Sequence, residues 1–313
     1  MNTTITTTAA SAVDFKRLHE ARPSFFGLVR GEFFKIMRQW TTWILLGMVA
    51  VTIVLPYVIE TLRPRLLADI TSAPVTFFYD QLSFGLSVVR VFTGFFLLVM
   101  TARLIGQEYH LGTIRVLLGR GVGRLQLLFA KLLTMAIIGV LLLVVGILLN
   151  YLLTVALVAG TAGNLNAFGH LTSQFWSDAG IYILSILLNM AVSILLAAAA
   201  AVIGRASAFG LAAALAFFPL DNFGTLIMLL ANRVTGNDFW LNITAYFLGP
   251  NLNQMPVALM NNRVQTIGFG PLYAGGTHGI QVDGTHTLVV AAVYAAIFAA
   301  VAIWLTLKRD VQE

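Results

Sequence analysis

Residues 102–133 read ARLIGQEYHLGTIRVLLGRGVGRLQLLFAKLL. One carboxylate, Glu108, is followed by Gly112–Thr113 and then by the bases Arg115, Arg120, Arg124 and Lys131. A single acid among several bases suits charge-assisted contact rather than bond making. Two further ionisable residues, Arg90 and Asp221, stand inside strongly apolar runs, where a lone charge costs at least about 2.5–3.5 kcal/mol. Their matching depth predicts that they pair or share a polar cavity, either as a structural ion pair or as one wall of a substrate path. His278, Asp283 and His286 could reach one metal ion, but nothing in their Gly-rich surroundings fixes the geometry. Asn242-Ile-Thr matches a glycosylation sequon, used only in a eukaryotic secretory host.

The usual catalytic sets are missing. No G-x-x-x-x-G-K-[ST] phosphate loop occurs, and RGVGR over 120–124 does not qualify because no Lys-Ser/Thr follows it. The apolar runs hold no H-E-x-x-H motif, no paired aspartates and no Ser–His dyad, which argues against an intramembrane enzyme. With no cysteine in the chain, disulfides and thiolate metal sites are excluded.

The elements that must position these residues are membrane spans. The chain of 313 residues is 58% hydrophobic and 10% charged, against about 25% charged for a soluble domain. Its mean hydropathy is +0.87. Six apolar stretches, at 42–59, 82–104, 132–158, 181–203, 209–230 and 287–307, are each long enough to cross about 30 Å of hydrocarbon. Each must be helical, because lipid offers the backbone no hydrogen-bond partner. The expected fold is therefore an all-α integral membrane protein: a disordered tail over 1–23, then one membrane domain over 24–313.

Residues 1–40 are too polar and too long to be a signal peptide. Within them, 24–40 reads as an amphipathic helix with Phe26, Val29, Phe33, Ile36, Met37 and Trp40 on one face and Gly31, Lys35 and Arg38 opposite. It is expected to lie in the headgroup layer, or else to extend the first span. An even number of spans puts both termini on one side. Fourteen of the 19 Lys and Arg fall on that side, four on the other, and Arg90 within a span, so the positive-inside rule places both termini in the cytoplasm. The net charge of +6 follows from this bias and from anionic lipid, not from nucleic acid.

Between the last two spans, FWLNITAYFLGP and MPVALM are apolar pieces too short to cross, and predict re-entrant or interfacial helices. GFGPLYAGGTHGIQVDGTH reads as a loop or short hairpin. Ala291, Ala295 and Ala299, with Ala292, Ala296 and Ala300 beside them, form a small-residue ladder that lets another helix approach. The GRAS turn at 204–207 predicts a tight hairpin, and Pro219 a kink in the fifth span. In 102–133, Gly112 should break the second span's helix, Thr113 should cap a short helix over 114–118, and Gly121 and Gly123 should make the return.

That short transverse helix resembles the coupling helix in permease subunits of type-2 ABC transporters, the type V exporter fold. The family pattern is a Glu, then Gly-Thr, then a run ending in Arg, then a Lys at the foot of the third span. Glu108, Gly112–Thr113, Arg124 and Lys131 match it, with Arg115 and Arg120 inside the run. One departure is Gly121-Val122-Gly123, where many members carry a Pro-Val-Ser-like turn.

The resemblance implies a permease subunit of an ATP-driven exporter in the plasma (inner) membrane. It further implies a second permease subunit, alike or paralogous, and separate ATP-binding cassette subunits that hold ATP and Mg. This chain itself is expected to carry no cofactor and no enzyme activity. Glu108 is expected to contact a partner base or to brace its own loop through Arg115 or Arg120. Arg120, Arg124 and Lys131 are expected to anchor the loop to lipid phosphate or partner carboxylates. The alternatives are an ion- or proton-coupled secondary transporter, disfavoured by the near isolation of Asp221, and a non-transporting scaffold.

Overall fold

The computed structural model describes residues 24–261, 263–264, 270–272, 280 and 282–308, together with all side chains in these ranges except those of His110 and Arg115. The tail over 1–23, most of the Gly-rich segment including His278, and Arg309 lie outside the described residues. Every regular element among the described residues is helical. In chain order these are α1 Phe25–Met37, α2 Trp40–Glu60, α3 Leu66–Ser72, α4 Pro74–His110, α5 Thr113–Gly119 and α6 Arg124–Ala162. A 3-10 turn over Asn166–His170 follows, then α7 Ser173–Gly204, α8 Ser207–Thr235, α9 Phe239–Thr244, α10 Leu248–Leu259 and α11 Gly284–Lys308.

Six of these, α2, α4, α6, α7, α8 and α11, are long and apolar enough to cross a bilayer. The chain is a multi-pass integral membrane protein. The spans begin and end where expected or overrun by several residues: α4 has 37 residues and α6 has 39. Apolarity sets where a helix crosses lipid, but local stop signals set where it ends. Pro74 opens α4, where a missing N–H costs nothing. Left-handed Gly112 and Gly163 follow α4 and α6.

Two spans form the centre. In α4 and α7, 67% of the apolar window is buried inside the protein, against 11% in α8 and 22% in α11. α4 packs along α7, α8 and α6, while α11 runs against α7. The main core joins Leu45, Val49 and Ile53 of α2 to Leu86, Val89, Phe96 and Leu97 of α4, and to Met135 of α6 and Ile186 of α7. The alanine ladder is split by its own geometry. Ala291 is buried and Ala295 packs with it against Val192 of α7 and Leu252 of α10, whereas Ala292, Ala296 and Ala300 are exposed.

The short outer pieces are helices, as expected, but α10 is a buried element. Leu248, Asn251 and Met255 have no measurable exposure. The amphipathic segment also differs from its expected form. α1 ends at Met37 and α2 starts at Trp40, so the segment is not continuous to residue 40. Its inward face is Val29, Glu32 and Ile36, while Phe26 and Trp40 are exposed. The reason is the Glu32 carboxylate, which is drawn towards a lysine of α6 and rotates the helix with it.

The α7–α8 hairpin turns at Arg205, which takes a left-handed φ of 50°. Two glycines allow its close contacts. A Cβ on Gly210 of α8 would stand 2.6 Å from the Ala201 Cα of α7, and one on Gly106 of α4 would stand 2.6 Å from the Ser207 Cα of α8. Both neighbours are backbone and cannot step aside. We expect Gly210→Val to lower stability by at least the roughly 1–3 kcal/mol typical of overpacking. Gly31→Ala, whose Cβ would meet nothing within 4 Å, should be neutral or slightly stabilising. Melting temperatures of the two variants in one detergent check this; equal melting would contradict the close approach.

Candidate functional site

The ends of α4 and α6 that flank α5 meet α1 around four charges. Lys131 of α6 places its Nζ 2.8 Å from Glu108 Oε1 of α4 and 3.0 Å from Glu32 Oε2 of α1. Its third N–H goes to the Leu104 carbonyl at 3.0 Å. An ammonium has three donors, and all three are used. Lys35 of α1 closes the group, donating to Glu108 Oε1 at 2.9 Å and to Glu32 Oε1 at 3.0 Å. Two acids and two bases balance.

Glu32, Glu108 and Lys131 are each at most 5% exposed, so their charges are compensated by one another and not by water. Lys35 sits at the mouth. Partial burial works against its charged form, but Glu32 and Glu108 together outweigh that and hold its pKa above the ordinary lysine value. Lys35 therefore keeps its proton throughout the physiological range.

This arrangement corrects two expected roles. Glu108 does not brace the loop through Arg120; it is held by Lys131 and Lys35 and is not exposed to a partner base. Lys131 is an internal strut and not an anchor to lipid phosphate. The remaining loop residues stay close to their expected places. Gly112 adopts φ 67°, where a side chain would be strained, and turns the chain out of α4. Thr113 is the first residue of α5 but does not cap it, because no side-chain hydrogen bond closes that helix start. The Arg120 side chain is exposed. The Arg115 side chain lies outside the described residues. Arg124 donates to the Leu307 carbonyl at 3.2 Å, and so ties the foot of α6 to the last turn of α11.

α5 itself is fastened by apolar contacts. Ile114 is buried with Val122 and Leu127, and Leu28 of α1, Tyr109, Leu117 and Leu118 pack around them. Its other side is open: Val116 is exposed, as are Leu111 and Arg120 in the flanking turns. A seven-residue helix, flanked by an exposed leucine and an exposed arginine, is thus packed against α1, α4 and α6 at once.

Arg90 and Asp221 do not meet. Both act instead on α10. The Gly249 N–H at the start of α10 donates to Asp221 Oδ2, where a helix N-terminus favours negative charge. Arg90 Nη1 donates to the Leu252 carbonyl at 2.6 Å, and Nη2 to Asn253 Oδ1 at 3.1 Å. Pro256 explains the first of these. It lies four residues after Leu252 inside α10 and has no N–H, so the Leu252 carbonyl loses its helical donor. Arg90 supplies one. Asn253 Nδ2 then donates to Asn222 Oδ1 at 2.9 Å, which links α10 to α8 next to Asp221.

A second polar cluster, at the far end of α4 from Glu108, was not foreseen. Asp178 of α7 is 1% exposed and accepts from Arg263 at 2.9 Å, Tyr79 of α4 at 2.6 Å and Gln174 at 2.9 Å. Asp283 accepts from the His286 N–H at 2.7 Å, while His286 Nε2 lies 2.7 Å from the Ala245 carbonyl. Among the described residues no group of acids and histidines could hold a metal.

Residues 28–230, which include all four charges and the whole of α5, match the family described as ABC-2 family transporter protein. The chain belongs to that family. The matched region is a membrane permease domain and not a nucleotide-binding domain. The permease is also 27% identical over 224 residues to the uncharacterized protein YhcI of Bacillus subtilis (strain 168). That match covers 71% of this chain and 65% of the relative, so the chain spans just under two thirds of that protein's length.

Glu32 and Lys35 were the residues hardest to see. The available signal was an acid three residues before a base in a helix that is otherwise basic and aromatic. Two outcomes follow. Lys131→Met should destabilise the permease by about 3–5 kcal/mol, since it strands buried carboxylates. Adding Glu108→Gln should recover part of that loss in a thermal-melting double-mutant cycle, whereas strictly additive losses would deny the network. Likewise Arg90→Met should cost less when Pro256→Ala restores the missing N–H; an equal cost in both backgrounds would refute the Leu252 assignment.

Proposed function

We propose that the chain lines the translocation path of an ATP-driven exporter and receives work through α5 from a separate ATPase subunit. The observation that carries this is mechanical. α5 offers Val116 outwards, with Leu111 and Arg120 exposed in the turns that flank it, while its inner face is held to three helices by an apolar cluster, and those three helices are joined to one another by a buried charge network. A groove on a partner that moves when it binds ATP would drag α5, and α5 cannot move without α4 and α6. Rigid-body displacement of packed spans follows.

In this reading two permease subunits stand with two ATPase subunits in the plasma membrane, with both termini on the ATPase side. The partner holds the ATP and Mg. Export as the direction rests on the resemblance of the 108–131 pattern to type V exporters. The identity of the second permease, a copy or a paralogue, is set by surfaces outside this site.

Val116→Glu tests the docking face. Val116 is 58% exposed, so the variant should fold and melt like the parent. It should nonetheless lose co-purification with the ATPase subunit, and ATP-dependent transport in vesicles should fall at least tenfold. Retained co-purification with full transport would remove α5 from the coupling path.

A further inference from the structure

Between α4, α7, α8 and α10 lies a cavity of about 470 Å³, within the range of ligand sites, roughly 300–1,000 Å³. Its apolar wall includes Val91, Phe95 and Leu98 of α4 and Leu215 and Phe218 of α8. Its polar wall is made by Arg90, Asn189, Ser193, Asn222 and Asn253. Among the described lining residues none is acidic.

Two of these groups are unspent. Hydroxyls inside a membrane helix normally bond back to a carbonyl one turn earlier, and Ser83, Thr93, Thr134, Thr154 and Ser185 all do so here. Ser193 does not: it is 1% exposed and its Oγ has no hydrogen-bond partner. Asn189 lies one turn earlier on the same face of α7, and no described residue hydrogen-bonds its side chain. Gly94 of α4 makes room for both. A Cβ there would stand 3.3 Å from Asn189 Oδ1 and 3.7 Å from Ser193 Oγ. An amide and a hydroxyl held at bilayer depth without protein partners are costly unless something else bonds them.

We propose that this cavity binds the head of an amphiphile that is rich in hydrogen-bond acceptors and carries no positive charge, with its tail on Phe95, Leu98 and Phe218. Asn189 and Ser193 donate to the head. Arg90, a guanidinium, sets the sign of the potential, and with no carboxylate among the described lining residues an ammonium head has no counter-charge there. Asn222 and Asn253 face the same space but are occupied with each other, Asn222 also donating to the Phe218 carbonyl at 2.8 Å. This inference rests on the permease reading, because it names the class of substrate the path would carry.

The test is equilibrium binding to the full chain in neutral nanodiscs, with no ATP and no ATPase subunit. Dodecyl phosphate and dodecylamine serve as probes of equal tail length. Dodecyl phosphate should bind saturably and dodecylamine should not. The Asn189→Leu, Ser193→Ala double variant should weaken dodecyl phosphate about tenfold, the scale of two lost hydrogen bonds. It should melt no lower than the parent, since neither group has a bond to lose. Gly94→Val, which fills the cavity from the opposite helix, should weaken binding independently. Equal binding of the amine, or unchanged binding in both variants, would overturn the proposal. Co-purification of an ATPase without probe binding would defeat the cavity alone; probe binding without any associated ATPase would defeat the coupling reading and leave the cavity standing.

Discussion

A buried carboxylate cannot stay ionised without cations at its side, and Glu108 sits 5% exposed at the end of one of the two most enclosed spans. Everything at that end of the protein is arranged around this requirement. Lys131 must reach it from α6, and Lys35 must reach it from α1, so three helices separated by up to 99 residues are forced into one register. Glu32 then balances the second ammonium. Such a group adds little net stability compared with well-packed apolar side chains, because desolvation offsets most of the attraction. What it provides is specificity. Apolar contacts between α1 and α6 tolerate sliding, whereas four charges with fixed donors and acceptors do not.

A second polar clamp works at the other half of α4. Pro256 would leave one buried carbonyl of α10 without its helical donor, and Arg90 fills that need from α4. Asp221 holds the start of the same short helix from α8. α10 is therefore suspended between two spans by charges that each face a backbone group rather than one another. This accounts for two ionisable residues at similar depth that do not form a pair. Each charge is neutralised by a dipole end or a defect in a helix that is only 12 residues long.

How much of this was readable from the chain depended on range. The six spans follow from local apolarity, and α5 follows from Gly112, Gly119, Gly121 and Gly123, all signals within a few residues of their effect. α9 and α10 follow from apolar runs too short to cross. What could not be read was which polar side chains meet. Lys131 looks like any base near a membrane surface, and the positive-inside pattern explains it without a partner. Only the packing of α1 against α6, set by Val29, Ile36 and the Glu32 carboxylate, turns that lysine inwards. Arg90 and Asp221 were legible as charges in need of partners. That the partners are backbone groups of α10 depends on a proline four residues beyond Leu252, which is itself 162 residues from Arg90 in sequence.

The same span carries both clamps, and this bears on how the protein can move. From Arg90 to Glu108 is 18 residues of one helix, about 27 Å at 1.5 Å per residue. Proline enters α4 only at its first turn, where it does not weaken the rod. α6 and α7 contain none. Among the six spans, the prolines that remove a rung fall at Pro56 in α2 and Pro219 in α8, and α8 is the least enclosed of them. Pro219 also lines the cavity beside Arg90. Stiffness is thus concentrated in the helices that join the charge network to the cavity, and compliance in the one that forms the cavity's outer wall. Unbroken helix connects Glu108 to Arg90 along α4, and the cavity wall that lacks a backbone rung is α8.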